Sequence, residues 1–353
     1  MKVLVSGGAG FVGSHYVRTL IGGGYPGFEQ ARVTVLDKLT YAGHLANLAP
    51  VAGHLRLDFI TGDICDPALL ASVVPGHDVV INFAAETHVD RSITGAADFV
   101  TANVCGVQVL LQACLDARIP RVVQVSTDEV YGSIPAGSWT EESPLAPNSP
   151  YAAAKAGGDL MARAYARTHG LNVSITRGCN SYGPYQFPEK LIPLFVTNLL
   201  DGLPVPLYGD GRNVREWIHV DDHCRGIQLV ADKGEPGRVY HIRGDVQISN
   251  TELTRLLLEC CGADWDMVRY VPDRKGHDRR YSLDDSLLRG MGYAPRIPFA
   301  EGLKATVQWY EDNRDWWQPL KYDAAAARTA PGAGQARGAA PAPEQVQPRQ
   351  RRP

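Results

Sequence analysis

The chain has 353 residues, 44% of them apolar and 21% charged, with 36 Gly and 24 Pro: room for one large domain or two modest ones, and too apolar for a disordered polymer. A formal charge of −3 leaves no global basic field for nucleic acid or an anionic membrane. No run reads as the roughly 18–20 apolar residues of a membrane span, and MKVLVSGGAGF meets its glycines too early for a secretory signal. The expectation is a cytoplasmic protein with neither nucleic-acid nor membrane partners. The cysteines (Cys65, Cys105, Cys114, Cys179, Cys224, Cys260, Cys261) include no C-x-x-C pair and read as buried structural thiols. His88, His219 and His277 lack metal-ligand spacing, so no metal is expected.

From the N-terminus, the runs KVLVSGG, RVTVLDKL, LDFITGDI, DVVINFAA, RVVQVSTDEVYG and NVSITRG alternate with helical stretches. Near-continuous β-branched character suits strands buried on both faces. Strand–helix alternation predicts an α/β fold, a Rossmann-type doubly wound parallel sheet, over residues 1–181. After Tyr182 the alternation loosens, and 182–320 reads as a smaller mixed α/β C-terminal domain, mainly for substrate, that completes a cleft at the carboxyl ends of the strands. Residues 321–353, most clearly from Ala324, are rich in Ala, Pro, Gly and Arg. They have too little apolar surface to order themselves and read as a disordered tail.

The first strand runs into Gly7-Gly8-Ala9-Gly10-Phe11-Val12-Gly13 and then a helix. Gly7 suits a tight turn, Gly10 a close approach of backbone to a pyrophosphate, and Gly13 close packing of the helix. The next strand ends at Asp37, whose carboxylate can accept both adenine-ribose hydroxyls and repel a 2′-phosphate, so NAD is expected over NADP. Asp63-Ile64, after the third strand, stand where an adenine can be contacted, although Asp63 equally suits a helix cap. Phe83-Ala84-Ala85 end the fourth, small where a cofactor must pass close.

Tyr151-Ala-Ala-Ala-Lys155 opens a helix announced by Ser149, a good N-cap, and Pro150, a good first-turn residue. The i, i+4 spacing puts phenol and ammonium on one face. Lys155, beside a cationic nicotinamide, is expected to pull the tyrosine pKa down from about 10. Before it comes Val125-Ser126-Thr127-Asp128-Glu129. Neighbouring side chains on a strand face opposite ways, so Asp128 and Glu129 share a cleft only if the strand ends or bends there. If they do, they supply one acid and one base, which redox chemistry alone does not need.

Over about residues 1–320 the chain resembles the extended short-chain dehydrogenase/reductase superfamily and, within it, the dTDP-glucose 4,6-dehydratases. The motifs are GGAGFVGSH, LDKLTYAG, FAAETHVDRSI, STDEVYG, SPYAAAKA, RGCNSYGPYQFPEKLIP, GRNVREWIHVDDH and GHDRRY. The acidic pair after Ser-Thr discriminates most. The resemblance implies the substrate dTDP-glucose, NAD, a homodimer through helices around 97–117 and 151–168, and hydride transfer from C4 to C6. The alternative is another NAD-dependent nucleotide-sugar dehydratase or a 4-epimerase. It makes Thr127 a partner of the 4-hydroxyl, Asp128 the acid at the 6-hydroxyl, Glu129 the base at C5 and Tyr151 the base at the 4-hydroxyl, with Lys155 orienting the cofactor ribose. Phe11, Val12, Lys38, Leu39, Thr40, Thr87, Ala102 and Ser181, a nicotinamide contact, complete the cofactor set. Thr87, Asn180, Lys190, Leu191, Arg215, Asn250, Asp273, Arg274, Lys275, Gly276 and His277 hold the nucleotide sugar, and Pro206, Leu207 and Tyr208 the nucleobase. Taken singly, Asn250 also suits a helix cap and Arg215 a surface cation. Two positions depart from the family pattern: Ala102 stands where Thr is usual, and Lys275 replaces a Pro.

Overall fold

A computed structural model describes residues 1–329. The first half is built from β1 (Lys2–Ser6), α1 (Phe11–Ile21), β2 (Arg32–Asp37), β3 (Leu57–Thr61), α2 (Pro67–Val73), β4 (Val79–Asn82), α3 (Val89–Thr94), α4 (Ala97–Val100), α5 (Val107–Asp116), β5 (Arg121–Thr127), α6 (Pro150–His169) and β6 (Val173–Gly178). Then follow β7 (Asn180–Tyr182), α7 (Leu191–Leu200), β8 (Val205–Tyr208), β9 (Val214–His219), α8 (Val220–Lys233), β10 (Val239–Ile242), β11 (Val246–Ser249), α9 (Asn250–Cys260), β12 (Val268–Val271), α10 (Ser286–Gly290), α11 (Phe299–Asp312) and α12 (Arg314–Thr329).

Seven parallel strands form the large sheet in the order β10-β6-β5-β4-β1-β2-β3. The direction of winding reverses between β1 and β4, which opens a crevice at their carboxyl ends where ligands of such sheets bind. Both faces are covered, as the β-branched runs required. Val3, Val5, Tyr16 and Leu20 belong to one apolar layer, and Leu4, Leu110, Leu111 and Val173 to the other. The smaller domain has its own core, including Ile192, Phe195, Trp217, Leu257 and Tyr310, around a three-stranded sheet β11-β9-β7 and the pair β12-β8.

The structure refines several expectations. The segment 182–320 is not all substrate domain: α8 packs under β5 and β6, and β10 joins the large sheet beside β6. The boundary at 321 falls inside α12, which runs to Thr329; residues 330–353 of the expected tail lie outside the described residues. The helical run Ala97–Asp116, 20 residues, does have the length and apolarity of a membrane span. Its Val107, Leu110, Leu111 and Cys114 are buried in the apolar layer that α2 and α6 also cover. That run contains a π-helical turn, Thr101–Gly106. Of the cysteines, Cys114, Cys179 and Cys224 are buried, Cys65, Cys260 and Cys261 half-buried and Cys105 exposed, so the expectation of buried thiols holds for only three.

Candidate active site

A cleft of about 310 Å³ lies along the carboxyl ends of β1, β2, β4, β5 and β6. At one end is the glycine turn. Gly7 sits at φ +72°, and a Cβ there would come within 2.4 Å of the Ala84 backbone; a Cβ on Gly13 would come within 2.3 Å of the Gly7 carbonyl. Only glycine lets β1, the turn and the β4 end approach so closely. Helix α1 starts at Gly10 with no side-chain cap, leaving its first N–H groups for an anion.

Asp37 ends β2 buried, its carboxylate accepting from Ala9 N (2.9 Å) and Leu39 N (2.8 Å). Burial raises its pKa, and the two N–H groups counter this. The carboxylate is thereby fixed with lone pairs to spare. Leu39 adopts φ 54° and is the one assigned cofactor residue absent from the cleft wall; Lys38 and Asp63 pair at 3.3 Å. Asp63 accepts from Cys65 N, while the cap of α2 is Asp66.

At the centre, β5 ends at Thr127, and Asp128–Tyr131 form a 3-10 turn whose N-cap is Thr127 (Glu129 N to Thr127 Oγ1, 3.3 Å). Breaking the strand's alternation there brings both carboxylates to the cleft wall. Asp128 is buried, accepts from Thr127 Oγ1 (3.1 Å), and its Oδ2 has no partner among the described residues. Burial, then the Glu129 and Glu216 charges, push its pKa well up. Glu129 is also raised by burial, but Arg215, Lys190 and Arg274 pull it back. The two carboxylates thus stand in different surroundings, Asp128 beside like charges and Glu129 among cations.

Ser149 caps α6 through Ala152 N (3.1 Å), with Pro150 in the first turn, as the sequence suggested. Tyr151 and Lys155 both line the cleft. Lys155 Nζ donates to Val125 O (2.7 Å), and burial lowers its pKa to about 8. The Tyr151 pKa is raised well above its ordinary value by burial and by the Glu129 and Asp128 charges.

Of the assigned substrate residues, Thr87, Thr127, Asn180 and Lys190 face this cleft. Lys190 Nζ donates to Thr87 O (2.9 Å). The others sit on the smaller domain. Arg215 is no surface cation: it is buried over the Tyr281 ring and donates to Asp278 O. Asn250 is no cap either, since Ser249 caps α9; its Oδ1 is buried without a partner among the described residues. Leu207 turns into the domain core, so only its backbone and the half-buried Pro206 and Tyr208 face outward. Leu191 opens α7, and Lys275 is exposed. Gly276 sits at φ +65° against Asn148 O, Asp273 accepts from His277 (2.6 Å), and Ala102 lies in the π-helical turn.

Sequence reasoning missed several residues. Tyr41, Glu86, Cys179, Gln186, Phe187, Glu189 and His223 also line the cleft. Asp90 grips Arg274 through both carboxylate oxygens (2.6 and 2.8 Å), and Arg91 pairs with Glu189 at 2.9 Å. These lie inside the quoted motifs THVDR and FPEK, so the signal was present, but only the fold shows their pairing. The uncapped start of α1 and the fixed Asp37 carboxylate, on the cleft wall that runs from Gly10 to Ser181, fit the diphosphate and ribose of a dinucleotide.

A family model described as GDP-mannose 4,6-dehydratase matches residues 4–306. A dTDP-glucose 4,6-dehydratase of Streptomyces niveus is 60% identical over 322 residues, 91% of this chain and 96% of that one. The solved structure of a dTDP-glucose 4,6-dehydratase from Streptomyces venezuelae, with NAD and dTDP bound, is 63% identical with a TM-score of 0.90, covering 91% of this chain and 100% of that one. A UDP-glucose 4-epimerase of Thermotoga maritima, 31% identical, superposes with a TM-score of 0.81, covering 89% and 100%.

Proposed function

The chain belongs to the dTDP-glucose 4,6-dehydratase family, and on that premise we propose how its residues divide the conversion of dTDP-glucose to dTDP-4-keto-6-deoxyglucose and water. The wall from Gly10 to Ser181 would hold NAD, which when bound would supply the hydride exchange between C4 and C6. Tyr151 accepts the 4-hydroxyl proton once the cofactor's positive charge offsets the two neighbouring carboxylates. The 4-ketone then acidifies C5–H, and Glu129 removes that proton and returns one to C5 as C6 is reduced. Asp128 delivers its own to the departing 6-hydroxyl, the proton taken by Tyr151 replacing it through solvent before the next turnover. Thr127 contacts the 4-hydroxyl, and Lys155 holds the ribose. Arg215, Arg274 and Lys190 balance the diphosphate charge.

One observation carries this reading: the 3-10 turn that brings two carboxylates in differently charged surroundings beside Tyr151. A 4-epimerase needs no such pair. The test feeds substrate deuterated at C4 together with unlabelled substrate carrying a heavy-carbon tag. Deuterium at C6 only in molecules lacking the tag supports the assignment; label kept at C4, released on free NADH or scrambled rejects it.

The same reading extends to assembly and compartment. Val100 and Leu160, on α4 and α6, are 48% and 54% exposed, which supports a homodimer through this helical face; a monomer by sedimentation at micromolar concentration rejects it. Seven free thiols suit the reducing cytoplasm.

A further inference from the structure

One buried group lining the cleft has no part in the chemistry above. His223 projects from α8, the helix beneath β5, β6 and β10, and the residue is only 5% exposed. It reaches the cleft wall beside Gly178, Cys179 and Ser181. Nδ1 lies 2.7 Å from Ser181 Oγ, while Nε2 has no partner among the described residues. The ring is packed tightly there: a Cβ on Gly178 would come within 2.4 Å of Nε2. Gly178 is register-paired with Thr127, so the imidazole stands behind the strand ends that carry the reacting groups.

The ring is suited to holding, not to proton transfer. Burial lowers its pKa to about 4, so at neutral pH it is uncharged and adds no repulsion to a site that receives a cation. A serine hydroxyl turns freely among its rotamers, and the Ser181 backbone is already fixed by Gln186 Nε2 donating to its carbonyl (2.9 Å). The bond to Nδ1 removes the last freedom. Whichever ring nitrogen carries the proton, the Ser181 oxygen is pinned with capacity left for one more partner.

We propose that His223 is a positioning residue: it fixes the Ser181 hydroxyl at the carboxamide end of the dinucleotide and so governs how often reduced cofactor escapes between the two hydride transfers. This rests on the dehydratase reading, in which one cofactor molecule must stay through the elimination of water. A neutral hydrogen bond of this kind contributes about 0.5–1.5 kcal/mol, so losing it raises escape roughly three- to tenfold.

The test counts escape per turnover, as free NADH and as C4 deuterium missing from C6, in the NAD-loaded enzyme, with thermal unfolding followed alongside. Ser181→Ala and His223→Leu should each raise escape three- to tenfold, and the double variant no further than Ser181→Ala alone. His223→Asn, whose amide sits at the level of Nδ1, should retain the cofactor. His223→Gln, whose amide sits at the level of Nε2, should leak like the leucine variant, which keeps the comparison if His223→Leu fails to fold. Multiplicative effects in the double variant, unchanged escape in both His223→Leu and His223→Gln, or equal leakage by Asn and Gln overturns the inference. Wild-type enzyme that leaves deuterium at C4 overturns the dehydratase reading and this inference together; wild type that transfers it while the variants behave as just described overturns the inference alone.

Discussion

Asp128 illustrates how a residue's surroundings set its chemistry. Its raised pKa favours the protonated form in the folded chain, so its contribution to stability is intact below the unfolded value of about 3.9 and is lost as pH rises through the folded value. Asp128→Asn should therefore gain thermal stability, by roughly 1–3 kcal/mol, and the gain should open as pH rises from 4; unfolding midpoints across a pH series measure it. The same variant should oxidise C4 yet eliminate water slowly, leaving bound NADH in a single turnover. Asp37→Ala should weaken NAD binding roughly ten- to a hundredfold, the range for hydrogen bonds to a charged group, and relax discrimination against NADP, as titration with both dinucleotides would show. That the acid pair exceeds what hydride transfer requires was legible from residue type and spacing, while the role of each member came only from the family resemblance. Their shared orientation was not legible, since it depends on β5 ending at Thr127 and giving way to the 3-10 turn.

At the scale of elements, a buried ion pair ties α6 to β6. Asp159 and Arg177, both fully buried, meet at 2.9 Å. Arg177 also donates to the Tyr131 hydroxyl, which bonds His241 Nε2 (2.6 Å), whose Nδ1 reaches Asp284 O (2.8 Å). Tyr131 closes the turn that begins with Asp128, so the chain of bonds sets that turn against the helix carrying Tyr151. Asp159→Leu should cost roughly 3–5 kcal/mol by leaving a buried cation unpaired, and adding Arg177→Met should recover most of it; denaturant unfolding of both variants decides. The helices and strands joined here were plain in the sequence from periodicity, caps and β-branched runs. The pairing was not, because residues 18 and 46 apart in the chain meet only once the sheet order is known. The π-helical turn at Thr101–Gly106 left no comparable trace: it shows only in the structure, where Asn103 both accepts from and donates to the Glu86 backbone.

For the molecule as a whole, the return of α8 and β10 to the large sheet matters most. VYHI lies in the stretch where the alternation loosens, and only its register with β6, Val239 opposite Ile175, reveals its place. A fragment ending at residue 181 would expose β6 as an edge and strip the cover of α8 from β5 and β6. It should not fold cooperatively, a point circular dichroism and solubility would settle. The same weave limits what recombination between relatives can exchange. A chimera spliced at 182 to borrow another nucleotide preference also takes its α8 and β10 from the C-terminal parent, and with them the imidazole behind Gly178. Hybrids made there would inherit the rear wall of the cofactor site from one parent and its glycine turn from the other.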